Sequence, residues 1–193
     1  MGIYLFTPED LMRYGSARPE QLEVLREAIL GKKDILIVGS SRSGKTKLVE
    51  ALIHYIPNDW KVAVVTSYSE FKPFKPNVLV IDTQFDQRPL GVRTAEVIEK
   101  LRRIKPDYVV IDALHTVDSA RIFRELIDEY AFIVTSLAMN EDIRSEVKHW
   151  LRLDEETFKK FDVVVLLKRD FRTGKKMIDR IYRVVDGSLV EVV

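Results

Sequence analysis

The sequence predicts an α/β protein of three layers: a mostly parallel central sheet with helices on both faces, followed by an antiparallel β extension. Three observations carry that prediction. Short aliphatic runs alternate with stretches of helical periodicity through most of the chain, and such alternation gives parallel strands joined by right-handed crossovers. One run, Asp34 to Val38, passes directly into a glycine-bounded loop and then a helical stretch. From Asp162 onward, strand-like runs follow one another with turn signals and no helix between them.

Taken in order, Thr7-Pro8-Glu9-Asp10 has the form of a helix start: a capping hydroxyl, proline at the first helical position and acids in the first turn. Gly15 ends that helix. A second opens at Pro19-Glu20, sets Leu22, Leu25 and Ile29 on one face and stops at Gly31. Asp34 to Val38 is the first strand. Beyond the loop, Leu48, Val49, Leu52, Ile53 and Ile56 recur at helical spacing until Pro57-Asn58. Lys61 to Ser67 and Asn77 to Asp82 are strands, separated by a stretch too rich in proline for a helix or central strand. Gln84 to Val92 is a loop and Thr94 to Ile104 a helix with Ala95, Ile98 and Leu101 on one face. Tyr108 to Asp112 is a strand, Asp118 to Tyr130 a helix facing inward through Ile122, Phe123, Leu126 and Ile127, and Ala131 to Thr135 a strand. Asn140 is placed to cap the next helix, which carries Ile143, Val147, Trp150 and Leu151; Asp154 caps a short one ending near Phe161. Asp162 to Arg169, Met177 to Val185 and Ser188 to Val193 are the tail strands, with turns at Thr173-Gly174 and at Asp186-Gly187, a two-residue hairpin signal. The expected organisation is one domain over 1–193: N-terminal helices over 1–33, an αβ core over 34–161 and the extension over 162–193.

The loop Gly39-Ser40-Ser41-Arg42-Ser43-Gly44-Lys45-Thr46 fits G-x-x-x-x-G-K-[ST], the P-loop pattern. The glycines let the backbone wrap so that its N–H groups face phosphate oxygens. Lys45 reaches the β- and γ-phosphates, and the Thr46 hydroxyl binds Mg2+. A buried strand before the loop and a helix N-terminus after it complete the requirement. No N-K-x-D-type guanine motif follows, Asn140-Glu141-Asp142 being no match, so the expected nucleotide is ATP. Two acids close strand-like runs at the carboxyl edge where ligands of such sheets bind, Asp112 and Asp82. Asp112 is preferred for Mg2+ because it follows a crossover helix and precedes another strand, and its strand is expected beside that of the loop. Thr135-Ser136 ends a strand at the same edge, where a polar side chain can sense the γ-phosphate.

Composition narrows the classes. The formal net charge of +1 argues against a polyanion binder, so nucleic acid is not indicated for the chain as a whole. There are no cysteines, hence no disulfide or thiolate metal site, and the 3 histidines make no ligand spacing. The longest aliphatic run, Val163 to Leu167, is far too short to cross a bilayer, and no signal-peptide pattern opens the chain. No membrane insertion and a cytoplasmic location are expected.

From about residue 7 to residue 185 the chain resembles the type II/type IV secretion and pilus ATPase family, itself RecA-like. Leu22 to Thr46 is similar to that family's approach to its P-loop. Leu101-Arg102-Arg103-Ile104-Lys105-Pro106-Asp107 and Tyr108 to Asp112 are similar to its L-R-x-x-P-D and Walker B strand; Asp162 to Arg169 with Gly174-Lys175 is similar to its closing strands. The resemblance implies an ATPase, the motor or assembly-type core of a secretion-like, pilus-like or DNA-handling system. If copies form a homo-oligomeric ring, Arg88, Arg93, Arg169 and Arg172 are the candidates for an arginine supplied to a neighbour. The departures fall on hydrolytic positions. The Walker B Gly-Glu lands on Ile111-Asp112, and the acidic box on Thr66 to Glu70, where only Glu70 is acidic. The histidine box lands on Thr135 to Ala138 with Leu137 in place of histidine, and the arginine after Walker B on Leu114. Only about 33 residues precede the first strand, where the family carries a large N-terminal domain. Lys45, Glu70 as the water-orienting acid, and Asp112 are therefore the expected catalytic set. A nucleotide-binding switch or assembly subunit with little hydrolysis is the alternative, and a small-molecule or nucleotide kinase the second.

Overall fold

The computed structural model describes residues 5–67, 71–83, 89–112 and 116–193. In chain order the elements are α1 (Pro8–Arg13), α2 (Pro19–Leu30), β1 (Ile35–Gly39), α3 (Lys45–Tyr55), β2 (Val62–Thr66), β3 (Val78–Asp82), α4 (Leu90–Ile104), β4 (Tyr108–Asp112) and α5 (Thr116–Leu126). They continue with β5 (Ala131–Leu137), α6 (Ile143–Trp150), α7 (Glu155–Phe158), β6 (Val163–Arg169), β7 (Lys176–Val185) and β8 (Ser188–Glu191). The eight strands form one sheet in the order β3-β2-β4-β5-β1-β6-β7-β8. Strands β1 to β6 run parallel and β7 and β8 antiparallel.

The strand sequences explain the layering. β1, β2 and β4 are buried at every position, as strands covered on both faces must be. Ile35 and Ile37 point to a core shared with Leu25 and Ile29 of α2 and Leu48 and Leu52 of α3. Leu36 and Val38 point to the opposite core, with Ile98 and Leu101 of α4, Phe123 of α5 and Val147 of α6. The expected α1 start is present in full: Thr7 Oγ1 accepts from Asp10 N while Asp10 Oδ2 accepts from Thr7 N. Asp186 and Gly187 take φ of 49° and 76°, the paired positive values of a type I′ hairpin turn. Among the described residues no helix is long and apolar enough to cross a membrane.

Four expectations need correction. Helix α4 begins at Leu90 rather than Thr94, because Gly91 and Val92 occupy a first turn whose N–H groups need no intrahelical partner. Strand β5 runs on to Leu137, two residues past Thr135, following the register of Ser136 and Leu137 with Val38 and Gly39. The cap of α6 is Asp142, which accepts from Ser145 N; Asn140 instead accepts from Asp142 N. The strand carrying Asp112 is not beside the P-loop strand, since β5 lies between β4 and β1.

At the amino end of the sheet Asp34 Oδ1 accepts from Phe132 N at 2.8 Å, and Asp162 Oδ2 accepts from Asp34 N at 2.9 Å. Burial drives the Asp34 pKa upward, the Phe132 hydrogen bond opposes it and the Asp162 charge adds to it, leaving it at about 7. The folded chain therefore keeps a proton that the unfolded chain gives up near 3.8. The stability from this group is complete below that value and is lost as pH rises through about 7. Asp34→Asn keeps an acceptor for Phe132 and removes the titration. Urea denaturation at pH 5 and pH 8 is expected to show the variant gaining about 1–3 kcal/mol on wild type at the higher pH. A difference that does not change with pH would refute this.

Candidate functional site

The P-loop leaves β1 at Gly39. A Cβ there would stand 2.6 Å from Ser43 Oγ and 2.8 Å from the Leu167 carbonyl oxygen, so the tight wrap requires glycine. Ser43 N donates to Ser40 O at 3.2 Å, and Gly44, with φ of 102°, turns the chain into α3. Ser41 and Arg42 are exposed on the outer side of the loop, Arg42 with φ of 60°. Helices α1, α6 and α7 are capped by the side chains of Thr7, Asp142 and Asp154. Helix α3 has no side-chain cap and no acid in its first turn, which carries Lys45 and Lys47 instead. Uncapped amides, the positive end of the helix dipole and Lys45 together favour an anion, whereas Lys47 is paired with Glu50. Lys45 Nζ donates to the carbonyls of Gly39 at 3.0 Å and Ser40 at 2.8 Å. Burial lowers its pKa and the charge of Asp112 opposes that shift.

Asp112 closes the site from β4. It is 1% exposed and both carboxylate oxygens accept hydrogen bonds: Oδ2 from Thr46 Oγ1 at 2.7 Å, Oδ1 from Thr135 Oγ1 at 2.8 Å. The intervening strand β5 carries Thr135, whose Oγ1 reaches Asp112 on β4. Thr46, donating its proton to Asp112, turns its oxygen lone pairs elsewhere, as a hydroxyl that ligates a cation must. One hydroxyl, one carboxylate and phosphate oxygens are a donor set that suits Mg2+. Among the described residues no group of three or more His, Cys, Asp or Glu is placed to hold a metal alone.

The other sequence candidates separate. Asp82 ends β3, the edge strand, exposed, with β2, β4 and β5 between it and β1; the fold does not bring it to Thr46. Glu70, Arg88 and Leu114 lie outside the described residues. Arg93 is turned inward to a buried ion pair with Asp118 of α5, which Thr94 Oγ1 also reaches. Arg169 lies 5.7 Å from the ring of Phe171, and Arg172 is exposed in the β6–β7 turn. Two buried acids were missed. Glu50 takes Lys47 Nζ at 2.9 Å and Phe6 N at 3.3 Å, tying the N-terminal segment to α3. Glu146 receives Met139 N at 2.6 Å and Trp150 Nε1 at 2.9 Å, fixing the turn after β5. Glu146 shares its helix face with Ile143 and Trp150, a charge on an apolar face, whereas Glu50 has Lys47 and His54 at i−3 and i+4 and carries no such signal in the sequence.

A mostly parallel sheet with a P-loop on β1 and an acid one strand removed on β4 has the RecA-like fold. The family described as "Uncharacterised conserved protein UCP018868" matches over residues 1–193, and the chain belongs to it. It also resembles type IV secretion ATPases. The type IV secretion system protein VirB11 of Bartonella henselae is 33% identical over 106 residues, 54% of this chain and 30% of that protein. The VirB11 ATPase of Brucella suis, crystallised in complex with sulphate, superposes with a TM-score of 0.69 and 19% identity, covering 92% of this chain and 55% of that one. The Legionella pneumophila ATPase DotB gives 0.61 and 15%, covering 93% and 52%. The chain spans less than half the length of the curated relatives it matches.

Proposed function

We propose that the protein binds Mg2+ and ATP on Gly39 to Thr46 and hydrolyses the nucleotide, serving as the motor or assembly core of a secretion-like, pilus-like or DNA-handling machine. The observation that carries this is the meeting of Lys45, Thr46, Asp112 and Thr135 at the mouth of an uncapped helix. The fold shared with the VirB11 and DotB ATPases, one of them crystallised with a sulphate, supports it. In this proposal the loop amides hold the β-phosphate and Lys45 the γ-phosphate side, while Thr46 and Asp112 hold Mg2+. When bound, Mg2+ neutralises charge on the β- and γ-oxygens. Asp112, with Glu70, is the acid available to orient water; Thr135 fixes the Asp112 carboxylate. Exposed Arg172 is the arginine a neighbouring copy can receive in a homo-oligomer.

Two observations favour a second reading, a nucleotide switch with little turnover. Arg93 is committed to Asp118, and Leu137 stands where the resembled family has histidine. Thermal unfolding and phosphate release decide between them. Mg2+ and ATP at 100-fold over Kd should add about 2.7 kcal/mol, or roughly 5–10 °C in Tm for a domain of this size. Stabilisation with phosphate release supports the ATPase; stabilisation without release supports the switch; neither effect refutes both.

A further inference from the structure

The chain's net charge of +1 conceals a local excess on the β6–β7 hairpin, where residues 168–183 hold 7 basic and 2 acidic side chains. Both acids are already engaged. Asp179 pairs with Lys168 at 3.0 Å and Arg180 at 3.4 Å, and Glu141 gives the same two cations a second acid. Asp170 shapes the turn: its carboxylate accepts from Arg172 N at 2.8 Å and Thr173 N at 3.3 Å, while Asp170 N donates to Lys175 O. The cations at the tip are left over. Arg169, Arg172, Lys175 and Lys176 make no ion pair among the described residues, and the last three are exposed. Arg169 Nε is buried with no hydrogen-bond partner among those residues.

Among these cations stands Phe171, 79% exposed, the barest large apolar side chain of the described residues. The Arg169 guanidinium lies 5.7 Å from its ring centre. An aromatic face in water, flanked by cations that no acid neutralises, asks for a partner carrying both flat rings and negative charge. A single strand of nucleic acid alternates the two: each phosphate is followed by a base whose face is free to stack. A duplex keeps its base faces inside its own stack and would leave the ring uncovered. An acidic protein surface would answer the cations, but carboxylates offer the ring no flat partner. Strand β6 lies beside β1 and parallel to it, so the hairpin tip stands at the same sheet edge as the P-loop.

We propose that the tip of the β6–β7 hairpin binds single-stranded nucleic acid, Phe171 stacking on a base while Arg169, Lys175 and Lys176 meet the flanking phosphates. The inference goes beyond the proposed function, which leaves the partner open, and it does not require a nucleotide on the P-loop. Fluorescence anisotropy of the full chain with labelled oligothymidine of about 15 nucleotides, without ATP or Mg2+, tests it. Two to four phosphate contacts should make affinity fall about 7- to 50-fold between about 50 and 200 mM salt. Phe171→Ala should weaken binding roughly 5- to 100-fold, the range of base–aromatic stacking, without changing the salt dependence. An abasic strand of equal length should bind wild type correspondingly weakly and be indifferent to that variant. Lys175→Glu should weaken binding at least about threefold and flatten the salt dependence. Phe171 and Lys175 are both exposed, so neither change threatens the fold. Arg103→Glu makes the same change of net charge at the far end of α4, where that side chain is 81% exposed, and should leave binding within about twofold. Oligouridine serves as the RNA arm: binding of either strand supports the proposal, and the tighter one names the sugar it serves. No saturable binding at low salt overturns the proposal and leaves the P-loop reading standing. Equal affinity for abasic and base-bearing strands, or an equal loss in Arg103→Glu, also overturns it. A loss in Lys45→Ala as large as in Phe171→Ala would place the strand on the P-loop and overturn the hairpin surface. Self-association of wild type that Phe171→Ala abolishes, with no oligonucleotide bound, would give the tip to a second copy instead.

Discussion

Lys45→Ala is expected to lower steady-state phosphate release from ATP by at least about 100-fold and to remove most of the thermal stabilisation by Mg2+ and ATP. The ammonium is the cation nearest the loop carbonyls, donating to Gly39 O at 3.0 Å and Ser40 O at 2.8 Å. In the proposed complex it exchanges these carbonyls for phosphate oxygens. Losing one such donor where charge develops in the transition state costs about 10²–10³ in rate, and a full positive charge in a half-buried site is not at the lower end. The ground state should suffer too, since Lys47 is already engaged by Glu50. The fold should not: alanine is the best helix former, and removing a buried amine leaves no carboxylate without hydrogen bonds. Urea denaturation of the unliganded variant within about 1 kcal/mol of wild type would confirm that the lost activity is local. A second consequence concerns pH. Burial lowers the Lys45 pKa in the free protein, whereas a bound polyanion favours the charged form. Affinity for ATP should therefore fall as pH rises through the lowered value, and Lys45→Ala should abolish that fall. Wild-type phosphate release in the variant would sink the proposed function.

The sequence reveals the fold more fully than the site, for a physical reason. Strand and helix positions follow from burial on two faces, so Ile35 to Val38, Val62 to Val65 and Val109 to Ile111 announce themselves as aliphatic runs. The P-loop is equally legible, because its chemistry depends on local backbone shape that Gly39 and Gly44 dictate. Strand order is another matter. Neither Asp112 nor Asp82 records in its neighbours which strand will lie beside β1, and both end runs of the same aliphatic character. Only the pairing of β5 between β1 and β4 sets Asp112 opposite Thr46 and leaves Asp82 at the edge. Arg93 shows the same limit. In the sequence it stands just before the expected helix start at Thr94, and its commitment becomes visible only once α5 brings Asp118 against α4.

That difference in placement gives the second large expectation. Asp112→Asn should reduce Mg2+-dependent phosphate release about 100-fold or more, whereas Asp82→Asn should leave it within about twofold of wild type. The carboxylate of Asp112 accepts from Thr46 and Thr135 at the same time. Asparagine keeps the shape but offers one acceptor oxygen and one NH2 group, so one of the two hydroxyls must rotate and become the acceptor. If Thr46 turns, the lone pairs proposed for the cation are spent on the amide; if Thr135 turns, the side chain that fixes Asp112 lets go. In either case the negative charge beside Lys45 and Mg2+ disappears. The same exchange removes a buried charge, so the unliganded variant should be as stable as wild type or more so, since both hydroxyls retain partners. Stability kept and turnover lost is the signature of a residue that works on the ligand. Titrating Mg2+ at fixed ATP sharpens the contrast, because only the Asp112 variant should need far more metal for half-maximal stabilisation. Equal losses in the two variants, or a loss in Asp82→Asn alone, would overturn the assignment of Asp112 as the magnesium acid and with it the role given to β5.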